Sequence, residues 1–232
     1  MIRLDKLLAN EGYGTRKEVK KLIRDGFVEI NGEVCKKDDR KVDEENDQIT
    51  IDGELVTFHK NVYIMMNKPE QTLCSNESTK YPSVLEYISE YAHRDLFTVG
   101  RLDVDTVGLL LITDDGDFAH HIISPSHHLE KIYEVHLQEA ITDEMIEGLE
   151  NGLEFKEFTS MPAKVEVISS HLIHLTIMEG KFHQVKRMLH AVGNEVVALK
   201  RLQIGNLVLD PSLQEGDYRE LTQEEIADLL EG

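Results

Sequence analysis

The stretch "VGRLDVDTVGLLLITDDGD", residues 99–117, places charged residues directly before an apolar run. Charged side chains at the edge of a hydrophobic core cost free energy of desolvation, unless they form ion pairs or are kept there for a function. Residues i and i+2 of an extended segment share a side, so Arg101, Asp103 and Asp105 are predicted to point the same way. An aspartate held beside cations stays ionised and suits a nucleophile or a general base. The alternative is a structural Asp–Arg pair, or an aspartate that caps the loop.

The segments around this stretch alternate between strands and short helices. Strands are predicted at "VYIMMNKP", "KIYEVHL" and "EVVALKRLQIGNLVL", with a hairpin at "AKVEVISSHLIHLTIMEG". Helices are predicted at "PSVLEYISEY", at "DFAHHIISP" with Asp117 as its cap, and at "TDEMIEGLENG", "KFHQVKRMLHAVG" and "TQEEIADLL". Because hairpins and helices both join the strands, we predict an α+β fold with a mixed, mainly antiparallel sheet flanked by helices.

The first sixty residues indicate a separate small module. "TRKE" at Thr15–Glu18 is a capping box, and the basic helix that it starts should end at Gly26. "FVEINGEVC" is typical of a hairpin that turns at Asn31-Gly32. An ordinary solvated face would explain the basic helix, but a helix and hairpin that follow an RNA backbone fit it better. The candidate phosphate contacts are Arg3, Lys6, Arg16, Lys17 and Lys20.

The "RLDK" start, the "TR" helix entry and the "V.ING" hairpin of this module resemble the S4 RNA-binding domain. The resemblance covers roughly Met1 to Asp52. We therefore predict a small α-L-type S4 module over residues 1–58 and a catalytic domain over residues 59–232.

The composition limits which cellular compartment and which class of binding partner are expected. A net charge of −19 argues at first against nucleic acid, yet residues 3–24 hold seven basic and three acidic side chains. Cys35 and Cys74 stand alone, which supports neither a disulfide framework nor a zinc knuckle and favours the reducing cytosol. No stretch approaches the roughly 18–20 apolar residues of a membrane span, so no membrane partner is expected.

Five motifs follow one another over residues 61–221. They are "MNKP", "GRLDVDTVGLLLITDDG", "SPSHHLEKIYEV", "EGKFHQVKRM", and "LKRLQIGNLVLD" with "LQEGDYREL". In this order they resemble the signature of pseudouridine synthases, in the branch typified by the small-subunit rRNA enzyme. One departure is Asp114, where the signature has Asn.

The resemblance implies that the N1–C1′ bond of a uridine breaks, the uracil rotates, and the bond re-forms through C5. It implies that Asp103 attacks the sugar or acts as the base that triggers glycal formation, which the sequence leaves open. Tyr133 would stack on the flipped base and help to remove the C5 proton. Lys186 would pair with Asp103 and keep it ionised, with Arg187 as the alternative partner.

The remaining site residues implied by the resemblance contact RNA or shape the pocket. Arg101, Arg187, Lys68 and Gln184 are the candidate RNA contacts of this domain. Arg101 would lie next to the extruded nucleotide, and Lys68 and Gln184 would also shape the pocket. No cofactor is expected, because isomerisation transfers neither electrons nor a group to an acceptor. The adjacent histidine pairs at 120–121 and 127–128 give poor ligand geometry, so no metal is expected either.

The expected partner is 16S rRNA in a partly assembled small subunit, modified by a monomer. "SPSHHLEKIY", and "FHQVKRM" with His183, favour that branch over the 23S-directed enzymes. The alternatives are a 23S rRNA pseudouridine synthase, a non-catalytic RNA-binding assembly factor, and a hydrolase that uses Asp103 with a second carboxylate. The complete set of Asp103, Tyr133 and Lys186 argues against the non-catalytic factor.

Overall fold

The computed structural model describes residues 1–44, 46–58, 61–124 and 127–231. The chain divides into two compact units, Met1–Asn61 with Ile88–Leu96, and Val62–Tyr87 with Phe97–Gly232. The predicted domain boundary between residues 58 and 59 adjoins positions outside the described residues, 59 and 60, and it stays a prediction.

The segment Ile88–Leu96 belongs with the first unit, although the sequence analysis placed it in the catalytic domain. Arg94 forms an ion pair with Glu11 at 3.4 Å, and both side chains are almost completely buried. Gly12 lies against the ring of His93, so that a Cβ at this glycine would be 3.3 Å from the imidazole. These contacts, distant in sequence, hold the segment in the first unit.

The first unit, as far as it is described, consists of the elements β1 (Ile2–Arg3), α1 (Leu4–Asn10), α2 (Arg16–Asp25), β2 (Val28–Ile30), β3 (Glu33–Val34), β4 (Lys41–Val42), β5 (Ile49–Ile51) and β6 (Glu54–Leu55). The capping box of Thr15 and Glu18 is present, and Gly26 ends α2 in the left-handed conformation. Asn31 and Gly32 both have positive φ, as a type I′ turn requires. The predicted helix and hairpin are therefore confirmed.

The second unit contains β7 (Tyr63–Lys68), a 3-10 helix that begins at Val84, β8 (Phe97–Val99), β9 (Thr106–Thr113), α3 (Gly116–Ile123), β10 (Lys131–Leu137), α4 (Asp143–Asn151), β11 (Lys164–Ser169), β12 (Leu172–Ile177), α5 (Gln184–Ala191), β13 (Val196–Ile204), β14 (Leu207–Val208), β15 (Tyr218–Glu220) and α6 (Gln223–Glu231). The main path of its sheet runs β11-β12-β10-β13-β9-β7-β15. The pair β13–β9 is parallel, and every other pair along this path in the described chain is antiparallel. The expected mixed, mainly antiparallel sheet is confirmed.

Gly108 lets β9 and β13 approach each other closely. Its φ is +101°, and a Cβ at this position would lie 2.3 Å from the Arg201 carbonyl oxygen and 2.8 Å from the Arg201 nitrogen. An L side chain fits neither the conformation nor the space. The glycine of "DTVGLLL" therefore allows the parallel pairing that brings Arg201 beside the strand.

Two local predictions need correction. The helix predicted at "PSVLEYISEY" is a 3-10 helix over Val84–Tyr91, interrupted by non-helical φ and ψ at Ile88. The cap of α3 is Asp115, whose carboxylate accepts from the N–H groups of Asp117 and Phe118. Since α3 begins at Gly116, Asp117 lies already inside its first turn. The predicted end of this helix, before residue 125, adjoins residues 125 and 126, which lie outside the described chain.

Candidate active site

Asp103 lies on the loop between β8 and β9, and this loop is anchored from within the domain. The side chain of Leu102 is 7% exposed and belongs to the core. The Lys68 ammonium donates hydrogen bonds to the carbonyl oxygens of Val104 at 3.4 Å and Thr106 at 2.9 Å. These contacts hold the backbone on both sides of Asp103 without engaging its carboxylate.

Lys68 itself does not fit its predicted contact with RNA. Its side chain is fully buried, and its ammonium also donates to the Pro69 carbonyl oxygen at 3.1 Å. Burial lowers the pKa of this ammonium, because the charged form loses hydration. A lysine enclosed by carbonyl oxygens positions the loop of Asp103 and does not reach a nucleic acid.

Helix α5 brings Lys186 to this loop. Its Nζ lies 3.0 Å from Asp103 Oδ2 and 2.5 Å from Asp105 Oδ1. Burial lowers the pKa of Lys186, but the hydrogen bonds to the two carboxylates outweigh it, and the pKa is raised. Burial likewise raises the pKa of Asp105, and the hydrogen bond from Lys186 outweighs that effect, so this pKa is lowered. The Lys186 ammonium therefore forms ion pairs with the carboxylates of both Asp103 and Asp105.

Arg187, the alternative partner for Asp103, is engaged elsewhere. Its Nη2 lies 2.6 Å from Glu157 Oε2, and its guanidinium stacks over the rings of Phe155 and Phe158. Consecutive helical residues point about 100° apart, so α5 cannot direct both cations at one carboxylate. The pairing with Asp103 falls to Lys186.

His183 lies beside Asp103 and is stacked on the exposed ring of Phe182. His183 precedes α5 in the left-handed conformation (φ +50°), and its Nε2 lies 3.5 Å from Asp103 Oδ1. Its imidazole stacks on the Phe182 ring at 3.8 Å, and Phe182 is 73% exposed. A non-glycine residue held at positive φ next to a reactive group is typical of functional sites. From the sequence, His183 was a guide to the branch of the family only, and Phe182 was not predicted as a site residue.

A cavity of about 200 Å³ opens beside Asp103 and is lined by Tyr133, Arg201 and Lys131 among others. Tyr133 lies on β10, which pairs with β12 on one side and β13 on the other, and it is 7% exposed. In the β10–β13 register Tyr133 faces Arg201. Asp103 and Tyr133, both predicted from sequence, thus share one cavity with Arg201 and Lys131.

Arg201 and Lys131 are site residues that the sequence analysis missed. Arg201 is 4% exposed and its Nε donates to the Leu109 carbonyl oxygen at 2.7 Å. Lys131 donates to the Leu129 carbonyl oxygen at 2.9 Å. Burial, assisted by the charge of Arg201, lowers the pKa of Lys131 to about 8. The sequence signal that could have identified them is their place within two of the family-like motifs, Lys131 in "EKIYEV" and Arg201 in "LKRLQIG".

Gln184 and Arg101 both line the cavity, but Gln184 is buried and Arg101 is exposed. Gln184 is 4% exposed, accepts from the Lys181 N–H at 2.9 Å and donates to Glu179 Oε1 at 2.7 Å. It therefore shapes the wall, and its burial does not fit direct contact with an RNA backbone. Arg101 lines the cavity with an exposed side chain, a position compatible with RNA contact.

The basic residues of the first unit are organised by a buried carboxylate. Asp5 is completely buried, and Arg3, Arg16 and Lys20 lie 2.9, 3.1 and 3.6 Å from its oxygens. Burial raises the pKa of Asp5, and the hydrogen bonds from Arg3 and Arg16 outweigh it, so the pKa is lowered. The cations remain partly exposed, and the exposed residues Lys6 and Lys17 complete the predicted set.

Two further observations concern the described residues only. No group of three His, Cys, Asp or Glu side chains within them is arranged to hold a metal ion. None of their helices combines the length and the apolar character that crossing a bilayer requires.

Comparison with known proteins places this fold and site in one enzyme class. Residues 62–191 match the RNA pseudouridylate synthase family, and residues 2–49 match the S4 domain. A crystal structure of a pseudouridylate synthase superposes with a TM-score of 0.70 at 42% identity, covering 99% of this chain and all of that one. The chain belongs to the RNA pseudouridylate synthase family and is an isomerase whose substrate is RNA.

Two relatives are similar over almost their whole length. An uncharacterized RNA pseudouridine synthase of Bacillus subtilis is 46% identical, over 97% of this chain and 97% of its own. The ribosomal small subunit pseudouridine synthase A of Haemophilus influenzae is 43% identical, over 99% of this chain and 100% of its own.

Proposed function

We propose that this chain converts one uridine of 16S rRNA to pseudouridine, with Asp103 as the residue that attacks the sugar or triggers glycal formation. The main support for this reaction is the pairing of the Asp103 carboxylate with Lys186 beside the cavity that Tyr133 lines. The 16S target is supported by similarity to relatives named for the ribosomal small subunit.

Each residue then has a task that follows from its position. Extrusion of the uridine brings its base into a cavity large enough for one ring, where Tyr133 can stack on it. The carboxylate of Asp103 is held by Lys186 on one oxygen and approached by His183 on the other. An ionised carboxylate so fixed is suited to attack an anomeric carbon or to remove a proton from the ribose.

We further propose that the first unit binds RNA through Arg3, Lys6, Arg16, Lys17 and Lys20. Arg101 and Arg187 are proposed as RNA contacts of the second unit, Arg101 beside the extruded nucleotide. The proposal includes a partly assembled small subunit as substrate, a monomeric enzyme, the cytosol as its location, and a domain boundary at residues 58 and 59.

The test is incubation of the purified protein with 16S rRNA, 23S rRNA and small-subunit assembly intermediates, followed by carbodiimide mapping of pseudouridines. We expect one new site in 16S rRNA and none in 23S rRNA, with higher yield on an assembly intermediate. A site found only in 23S rRNA would move the chain to the paralogous specificity. RNA binding without any new pseudouridine would favour an assembly factor.

A further inference from the structure

Arg201, which lines the cavity, carries a buried donor that has no acceptor in the described part of the chain. Nη2 of Arg201 is inaccessible to solvent and makes no hydrogen bond with any of the described residues, whereas Nε of the same guanidinium donates to Leu109. Buried polar groups in native proteins are nearly always hydrogen-bonded, and an unpaired one calls for a functional explanation. A cationic donor is the costliest kind to leave unpaired.

The acidic side chains that line the cavity do not neutralise this guanidinium. The Asp103 carboxylate is bound by Lys186, and Glu179 Oε1 accepts from the Met161 N–H and from Gln184. In the part of the chain that the structure describes, no ion pair joins Arg201 to a carboxylate.

Lys131 adds to the positive charge of the cavity. It donates a hydrogen bond to a backbone carbonyl and, like Arg201, lines the cavity. The charge of Arg201 contributes to the lowered pKa of Lys131, which indicates that the two cations act on each other. The cavity thus favours a bound group that carries or develops negative charge.

We propose that the Arg201 guanidinium donates a hydrogen bond to a carbonyl oxygen of the extruded uracil and stabilises the negative charge that forms on it. This inference rests on the proposed function. When the N1–C1′ bond breaks, its electron pair leaves with the uracil, whose charge spreads over N1 and the two carbonyl oxygens. C1′ is held meanwhile as an ester of Asp103 or, after C2′ has lost a proton to Asp103, as the glycal. The uracil rotates, and C5 bonds to C1′ as the ester bond breaks or as C2′ regains its proton. C5 then loses its proton, and N1 gains one. Arg201 transfers no proton in this sequence.

The position of Arg201 favours the base over a phosphate as its acceptor. Arg201 lies across from Tyr133 on the neighbouring strand, and Ile177, Val185 and Ile204 contribute apolar lining to the same cavity. Such surroundings suit a planar ring and are unfavourable for a fully charged phosphodiester. A preorganised donor in a cavity of low dielectric is worth far more to a developing anion than it is in water.

The experiment compares Arg201→Gln with wild type in single turnovers at saturating RNA, with uridine or 5-fluorouridine at the target position. The reaction is followed as loss of the N1-linked target nucleoside, by nucleoside chromatography and mass spectrometry. This readout serves both targets, because 5-fluorouracil has no C5 proton to lose and its C5-linked product cannot become a pseudouridine. We expect a loss of about 10²–10³-fold for uridine. The loss should be smaller for 5-fluorouridine, because the fluorine itself stabilises the uracil anion. Lys200→Gln, which removes the neighbouring cation of β13 outside the cavity lining, is the control and should leave both rates unchanged.

Equal losses on both targets would overturn the inference, since a purely structural arginine or a phosphate contact would not distinguish the leaving groups. An unchanged rate in Arg201→Gln would overturn it as well. If wild type modifies no RNA, the proposed function itself fails, so the two failures are distinguishable.

A second measurement needs no variant and covers the case in which Arg201→Gln does not fold. Wild type is tested on RNA with 2-thiouridine or 4-thiouridine at the target. Sulfur makes the uracil a better leaving group, which by itself would speed the reaction. It also accepts hydrogen bonds poorly, so a slower reaction indicates that a hydrogen bond to the replaced oxygen has been lost. We expect one of the two thiouridines to react more slowly than uridine. If both thiouridines react at least as fast as uridine, neither carbonyl oxygen of the uracil accepts a catalytically useful hydrogen bond, and the inference is wrong.

Discussion

The Lys186 ammonium lies 3.0 Å from the Asp103 carboxylate, although 83 residues separate the two in the chain. The same ammonium also binds Asp105, which comes two residues after Asp103. The two aspartates therefore share one cation, but only Asp103 lines the cavity with Tyr133. This difference allows the roles of the two carboxylates to be separated by substitution.

Asp103→Asn preserves the shape of the side chain and removes its charge and nucleophilicity. We expect a loss of roughly 10⁴-fold or more in single-turnover rate, with RNA affinity and melting temperature little changed. The measurement is tritium release from RNA labelled with 5-³H-uridine. Asp105→Asn is the matched control and should stay within about tenfold of wild type. If Asp103→Asn is equally active, the aspartate is structural.

Lys186→Met and Arg187→Met test which basic residue of α5 serves the chemistry. Lys186→Met removes the cation at Asp103 and should lower the single-turnover rate by about 10²-fold or more. Arg187→Met breaks the pair with Glu157 and the stacking on Phe155, so we expect weaker RNA binding or lower stability with near-normal chemistry at saturation. The reverse pattern of rates would assign the catalytic cation to Arg187.

Lys17→Gln tests RNA binding by the first unit without disturbing Asp5. Loss of one phosphate contact should reduce the slope of log K against log salt by about 0.7–0.9. The melting temperature should not change. Arg3→Ala, in contrast, removes a partner of the buried Asp5 and should lower the melting temperature. An unchanged slope for Lys17→Gln would indicate a face that is merely solvated.

Lys131 should make stability depend on pH in the alkaline range. Its pKa is about 8 in the folded protein and 10.5 ordinarily, so between these values the unfolded chain binds more protons. The free energy of unfolding should therefore rise as the pH increases from 8 to 10.5. Lys131→Met should lose this part of the dependence, which melting curves across that range will measure. The exposed Lys164→Met is the control, and a parallel response of the two variants would contradict the assignment.

Gly108→Ala tests the close approach of β9 and β13. The new Cβ meets the Arg201 backbone at 2.3 Å and the position has positive φ, so we expect a loss of about 2–4 kcal/mol in stability. Gly116→Ala is the comparison, because a Cβ there meets nothing within 4 Å. That variant should be neutral or slightly stabilised. Similar melting temperatures for the two variants would refute the role of Gly108.

Local signals account for what could be predicted from the sequence. The capping box at Thr15 and the turn at Asn31-Gly32 depend on backbone groups a few residues away, so the residue types alone specify them. The same holds for Asp103 on a loop before an apolar strand. The Asp115 cap of α3 was missed by two residues because Asp115 and Asp117 are equally suitable types in "DDGD".

Tertiary structure alone decided which of these residues meet and which are buried. Lys68 resembles a surface cation in the sequence, but the loop after Asp103 closes over its ammonium with carbonyl oxygens. Arg201 becomes an unpaired donor in the cavity only because β13 lies between β9 and β10. The sequence by itself determined most of the elements, the family signature and the place of Asp103 on its loop, since these depend on residue types and short-range geometry. Strand order and register determined the cation at Asp103 and the charge of the cavity, because contacts between distant residues depend on how the whole sheet pairs.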